Sequence, residues 1–364
     1  MGEDRRRRRS GEDLISGLPD ELLHGILVRL RCARSAARTS VLSSRWRHVW
    51  SHMPELLLDK SPDTVDGALA GYLAPALGRL AISLPADPND RALAGRAAPW
   101  LRFAAERVAG ELRICYVLPW PLDLVLPMEK ADFELPVCGG VQRITLSLGV
   151  AWHLLLRPGG LFSVLSELNI HRAHIEGGEL SNLVSTLCPR LSDLNLNVTL
   201  IAASNVTIRS DSLRSLRFTV LNTQQLELFV PRLEKLALSP FIGAHISAPK
   251  LAQLVFLFAN VYDPRNHHFL DVGHRLELLE MSLSSASLIR RFDEVDVLKL
   301  RLWIPWGIDR YQGFLNETKR LPKCKTLSIH FTWNEHAVAP AVLHLLRSCN
   351  STRKLLLTCY NDSP

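Results

Sequence analysis

The chain lacks three things that would place it among common protein classes: a C-x-x-C pair, a long apolar run and a catalytic signature. Its seven cysteines, at 32, 115, 138, 188, 324, 349 and 359, are odd in number and scattered. That spacing argues against a disulfide framework or a zinc site and favours a reducing compartment. The longest apolar stretch, around 251–261, falls short of the ~18–20 residues that a membrane span needs. The first nine residues are polar and basic with no apolar segment behind them, so they do not read as a secretory signal. Without such a signal the N-x-S/T sequons at Asn197, Asn205, Asn316 and Asn350 read as chain composition. No G-x-S-x-G, H-E-x-x-H, G-x-x-x-x-G-K or G-x-G-x-x-G occurs, so no enzyme activity is expected. The histidines at 171, 174, 267, 268 and 274 lack cysteines or carboxylates at ligand spacing, and neither a metal nor a cofactor is expected.

What is present is apolar surface and an uneven charge. Hydrophobic residues make up 47% of 364, enough for a packed interior. The net charge is +7. Residues 1–50 hold eleven arginines against six acids, a surplus of +5, which leaves only +2 for the other 314 residues. A nucleic-acid-binding array is basic along its own surface, so no nucleic-acid partner is expected. The run Arg5, Arg6, Arg7, Arg8, Arg9 reads as a solvated tail and a candidate nuclear-import signal.

The segment 13–50 carries the sharpest pattern. Pro19 suits a first helical position, because its ring presets φ and its missing N–H is not needed there. Asp20 and Glu21 follow, where negative charge complements the helix dipole. Leu22, Leu23, Ile26, Leu27 and Leu30 recur at three- and four-residue steps. A second helix is expected over 35–42 and a short third one carrying Arg45, Trp46, Val49 and Trp50. Three short helices cannot bury all this apolar surface among themselves, so the unit should need a partner or an adjoining domain.

Three blocks in order, Leu18-Pro19-Asp20-Glu21-Leu22-Leu23, Ile26-Leu27 and Arg38 to Trp50, resemble the F-box of plant F-box proteins with leucine-rich repeats. The resemblance implies docking to a Skp-type linker protein and, through it, to a cullin. Carried over residue by residue, it places Leu18, Pro19, Leu22, Ile26 and Leu27 on the linker-facing surface. Val41, Leu42 and Trp46 are expected there or in the module's own core. The family often has Leu-Pro after the first helix, whereas Leu30 here is followed by Arg31-Cys32-Ala33-Arg34.

Beyond the F-box, 53–59 reads as a linker. A helix capped by Asp63, a strand over 80–84, a helix starting near Pro99 and a strand over 112–117 follow. The pattern L-x-x-L-x-L, with apolar substitutes, starts at Leu77, Ala109, Val141, Leu165, Leu191, Leu213, Leu233, Leu251, Leu276, Val295, Cys324 and Thr352. The mean step is 25 residues, 275 over eleven intervals, within the range of leucine-rich repeats. A tighter motif, Pro-basic-Leu, precedes three of these strands at Pro189, Pro231 and Pro249, and a looser copy stands at Pro322. Proline there is expected to end one element and occupy the first position of the next strand.

These readings give an α/β chain: a three-helix F-box followed by an irregular leucine-rich-repeat solenoid, a parallel-strand horseshoe with irregular or helical segments behind it. The expected divisions are a basic tail over 1–12, the F-box over 13–58, a bridging region over 59–130, repeats over 131–341 and a capping segment over 342–364. The last resembles the FBD-like terminal segment of plant F-box repeat proteins. The function implied is a substrate-recruiting adaptor of an SCF-type ubiquitin ligase in the cytoplasm, the nucleus or both, with the repeats holding a target protein. A repeat scaffold outside any ligase is the alternative.

Overall fold

The computed structural model describes residues 18–29, 49–59, 61–85, 92–117, 131–149, 152–157, 159–238, 242–256, 262–302, 308–319, 321–332, 338–349 and 351–360. The repeated apolar-x-apolar pattern becomes strands because alternate side chains of an extended chain share one face. Seventeen strands form among the described residues, and all their pairings are parallel. Thirteen of them make one continuous ladder. Its first half runs β1 (Glu55–Asp59), β2 (Leu77–Pro85), β3 (Val108–Val117), β5 (Arg143–Ser147), β7 (Glu167–Ile175) and β8 (Asp193–Arg209). It continues through β9 (Ser215–Phe229), β10 (Lys235–Leu238), β12 (Gln253–Phe256), β14 (Arg275–Ser282), β15 (Glu294–Arg301), β16 (Lys323–Thr332) and β17 (Lys354–Tyr360).

The register of this ladder coincides with the sequence trace. The fourth position of every repeat stands beside its neighbour: Leu80, Leu112, Ile144, Leu168, Leu194, Leu216, Leu236, Leu254, Leu279, Leu298, Leu327 and Leu355 form one row. The sixth position forms a second row, from Ile82 to Leu357. Both rows are buried from β1 to β16 and make the spine of one contiguous core. No single rung could exclude water alone, so stacking stabilises each repeat, at about 1.5–3 kcal/mol per fully buried Leu or Ile. Met53-x-x-Leu56-x-Leu58 obeys the same rule, with Leu56 opposite Leu80 and Leu58 opposite Ile82. The segment expected to be a linker is therefore the first rung.

The side behind the first ladder differs from expectation. It carries a second parallel ladder: β4 (Ala131–Leu135), β6 (Trp152–Leu156), the ends of β7, β8 and β9, then β11 (Gly243–Ser247) and β13 (His267–Phe269). Strands β8 and β9 are long because each runs through both ladders. The corner between ladders is turned by residues of positive φ, namely Gly149, Arg172 and Asn222. Asn222 offsets that backbone cost with a side-chain amide that donates to the Leu200 carbonyl at 3.1 Å.

The Pro-basic-Leu motif works one step earlier than the sequence implied. The amides of Leu191, Leu233 and Leu251 donate to the carbonyls of Cys188, Val230 and Ala248 at 3.1–3.2 Å. Each proline is thus the second residue of a β-turn, where its fixed φ is preorganised, and the strand begins two residues after the leucine's turn closes.

Helices flank the ladder. α1 is Asp20–Arg29, α2 Pro62–Ala70, α3 Ala92–Arg107, α4 Gly177–Asn182, α5 Ile308–Glu317 and α6 Val338–Ser348. Ser61, not Asp63, caps α2, its hydroxyl accepting from the Thr64 amide. Serine one residue before proline leaves Asp63 in the first turn, where its charge meets the dipole. α3 begins at Ala92 and carries Pro99 inside it. Six alanines favour helix along this stretch, and the carbonyl that the proline ring would crowd belongs to Gly95. Of the three helices expected in the F-box, the first is α1; the second lies outside the described residues, and of the third only Val49 and Trp50 are described.

Candidate functional site

α1 has two apolar stripes with different fates. Leu23 and Leu27, one turn apart, are buried and join Val49, Met53 and Leu56 in the main core. Leu22 and Ile26, also one turn apart, are 56% and 40% exposed. Pro19 stands one residue before the helix rather than at its first position, and its carbonyl accepts from the amides of Leu22 and Leu23 at 3.1 Å. Asp20 and Glu21 lie in its first turn and Arg29 in its last, matching the dipole at both ends. His24 Nε2 lies 2.9 Å from the Val49 carbonyl and ties the helix to the segment that leads into β1.

That segment is itself anchored. The Ser51 carbonyl accepts from the Leu73 and Ala74 amides. The Tyr72 hydroxyl sits 3.0 Å from the Met53 carbonyl and 2.9 Å from that of Ala76. Burial pushes this phenol's pKa up, against the pull of the Arg107 charge. The Trp50 ring lies so close to Gly71 that a Cβ there would stand 2.9 Å from it. Behind it, Asp66 receives the Trp100 indole N–H at 2.6 Å and the Arg96 guanidinium. Burial works to raise its pKa, but the bonds from Arg96 and Trp100 and the Arg96 charge outweigh it and hold the carboxyl below its ordinary range. α1 therefore sits on a rigid platform and presents a short apolar edge to solvent.

Of the residues expected at a linker surface, Pro19, Leu22 and Ile26 are exposed, Leu18 is half-buried and Leu27 is buried. Val41, Leu42 and Trp46 lie outside the described residues, as do Arg5 to Arg9. The alternation of stripes every three or four residues was legible; which stripe faces inward depends on Val49 and Met53, which the helix periodicity does not name.

A second candidate surface is the outward face of the first ladder. One outward row reads Glu55, Arg79, Glu111, Arg143, Glu167 across five neighbouring strands. The charges alternate, and each arginine reaches both acids beside it. Arg79 lies 3.7 Å from Glu55 and 3.3 Å from Glu111; Arg143 lies 3.3 Å from Glu111 and 2.7 Å from Glu167. Toward the other end Glu280 meets Lys299 and Arg301, and Asp296 meets Arg275 and Lys325. Between these paired regions, strands β7 to β9 project Asn169, Asn195, Arg217 and Ser215 around a shallow hollow of about 400 Å³. The Asn195 Oδ1 is buried and has no hydrogen-bond partner among the described residues. Charges already paired across strands offer little to a newcomer, whereas the unpartnered Asn195 amide oxygen offers an acceptor.

Two of the singled-out histidines make ring contacts. His267 stacks on Tyr262 and His268 lies edge-on to His245. His274 approaches the Arg291 carbonyl. His171 stands on the outward face, its pKa lowered first by desolvation and then by Arg172 and Arg217.

Comparison with known proteins agrees with this architecture. The model of the leucine-rich repeats of the FBD-associated F-box protein At5g56370 matches residues 97–263. The F-box protein At5g03100 of Arabidopsis thaliana is 26% identical over 198 residues, covering 54% of this chain and 63% of that protein. The putative FBD-associated F-box protein At5g56390 is 27% identical over 292 residues, 71% of this chain and 63% of its own length. F-box/LRR-repeat protein 25, from the same plant, is 47% identical over 74 residues, 20% of this chain and 29% of its own. The chain thus spans less than two thirds of the length of each of these relatives. With a ladder in repeat register and an F-box motif on its first helix, the chain is similar to the plant F-box proteins that carry leucine-rich repeats.

Proposed function

We propose that the chain is a substrate-recruiting adaptor subunit of an SCF-type ubiquitin ligase. The observation that carries this is the split of α1, in which Leu23 and Leu27 fix the helix to the repeats while Leu22 and Ile26 stay exposed beside Pro19. Burying those two side chains against a partner would contribute roughly 1.5–3 kcal/mol each, which is a hot-spot-sized contribution. The partner is the Skp-type linker, and through it a cullin. Val41, Leu42 and Trp46 extend the linker surface or support it. The outward face of β7 to β9 holds the target protein. The adaptor performs no bond chemistry of its own; it raises the rate of transfer by holding target lysines near the ubiquitin-carrying enzyme. The division into tail, F-box, bridging region, repeats and C-terminal cap serves that task, in the cytoplasm, the nucleus or both, with Arg5 to Arg9 as the candidate import signal.

The test is calorimetric titration of the full chain with purified Skp-type linker, beside the double variant Leu22→Glu, Ile26→Glu. Both positions are exposed, so the variant keeps its fold by circular dichroism. The reading expects tight binding by the native chain and at least a hundredfold loss in the variant. No binding by the folded native chain would reject it.

A further inference from the structure

Cys324 and Cys349 face each other across the last turn of the array. Cys324 is the second residue of β16; Cys349 follows α6 and precedes β17. Both are buried, and their sulfurs stand 3.7 Å apart, in van der Waals contact, across 25 positions of sequence. The surroundings hold them there. The Ser351 hydroxyl accepts from the Cys324 amide at 3.1 Å, and the Thr352 Oγ1 lies 3.3 Å from the Cys324 sulfur. We propose that this pair is an oxidative modification site at which hydrogen peroxide converts Cys324 and Cys349 to a disulfide that staples the last two described rungs of the ladder together.

The two thiols are not equivalent. Hydrogen bonds from Cys349 and then Thr352 stabilise the Cys324 thiolate against the cost of burial and bring its pKa down to about 7. Cys349 moves the other way, since it donates to that thiolate and is itself buried. Cys324 is therefore the attacking sulfur. Its thiolate attacks one peroxide oxygen, the O–O bond breaks, and hydroxide leaves and takes a proton to become water, giving a sulfenic acid. Cys349, losing its proton, attacks that sulfur; the S–O bond breaks and a second water leaves. Two thiols are oxidised by two electrons and one peroxide is reduced to two waters.

Access comes from position. Among the described residues no strand pairs with β17 on its far side, and Leu355, Leu356 and Leu357 are exposed. The terminal rung is the part of an array that opens most readily. The other described thiols provide internal controls: burial pushes Cys138 up to about 11 and Cys188 up to about 12.

The experiment uses the full chain. It is treated with hydrogen peroxide in the presence of dimedone, then mapped by non-reducing peptide mass spectrometry. The native chain should give a Cys324–Cys349 cross-linked peptide, little dimedone at Cys324 and unmodified Cys138 and Cys188. Its melting temperature should rise by roughly 5 °C on oxidation and return on reduction. Cys349→Ser should accumulate the dimedone adduct on Cys324 at least tenfold over the native chain. The native map decides alone if that variant does not fold: absence of the cross-link, or a cross-link to Cys359 in its place, overturns the proposal.

Discussion

The two ends of the main ladder place leucines in the same rows and treat them differently. At the first rung, Leu56 and Leu58 are fully buried, because α1 and the Val49–Met53 segment join their core. At the last, Leu355 and Leu357 continue the same rows but are 37% and 53% exposed. The outward charges of both regions are paired across strands, so polar surface does not distinguish the ends. What does is a helix spent as a cap. α1 contributes one stripe to stability and leaves the other, Leu22 and Ile26, exposed. A capped end can thus expose an apolar stripe without weakening the array, whereas the far end has no such cover among the described residues.

The difference is open to direct attack. The largest effect is expected from Leu56→Ala, which should lower unfolding free energy by about 3 kcal/mol, whereas Leu357→Ala should cost under about 1 kcal/mol because its side chain already meets water. Paired denaturant titrations measure both, and equal losses would erase the contrast. Next comes the split within α1. Leu23→Ala should cost about 2–4 kcal/mol, while Leu22→Ala should change stability by less than about 0.5 kcal/mol and yet weaken linker binding; thermal melts beside calorimetry separate the two. Smaller is the effect of Glu111→Gln, which removes the acid shared by Arg79 and Arg143. A loss of about 1 kcal/mol or less is expected, shrinking as salt rises, and a salt series of melts checks it. The smallest is a pH effect at Asp66. Its folded pKa lies below the ordinary 3.8, so its contribution is fully present above that value and is lost as pH falls through the folded pKa. Asp66→Asn should flatten the acid limb of the stability curve below about pH 4, read by urea midpoints at each pH.

Much of the ladder was legible because one physical rule repeats in it. An apolar residue at the fourth and sixth positions of each repeat is a period-2 signal, and those two positions of every repeat from Leu77 to Thr352 fall in register. The first rung escaped notice only because Met53-Pro54-Glu55 precedes it in place of a leucine-led repeat. The second ladder escaped for a different reason. Its strands at 243–247 and 267–269 are short, and their histidines, glycine and serine carry no alternating apolar code; pairing to longer neighbours makes them strands. Pro189, Pro231 and Pro249 stand four residues before their strands rather than at the strand start, since a turn and a strand start share the same proline preference. At the candidate site, the stripes of α1 could be read from its sequence, but their inward and outward senses are set by Val49 and Met53, contacts more than 20 residues away.

Hydrogen exchange of the full chain with and without the Skp-type linker tests the account most directly. The account predicts strong new protection over 18–29 and none over the β17 end at 354–360. Protection confined to β17, or no change anywhere at saturating linker, would contradict it.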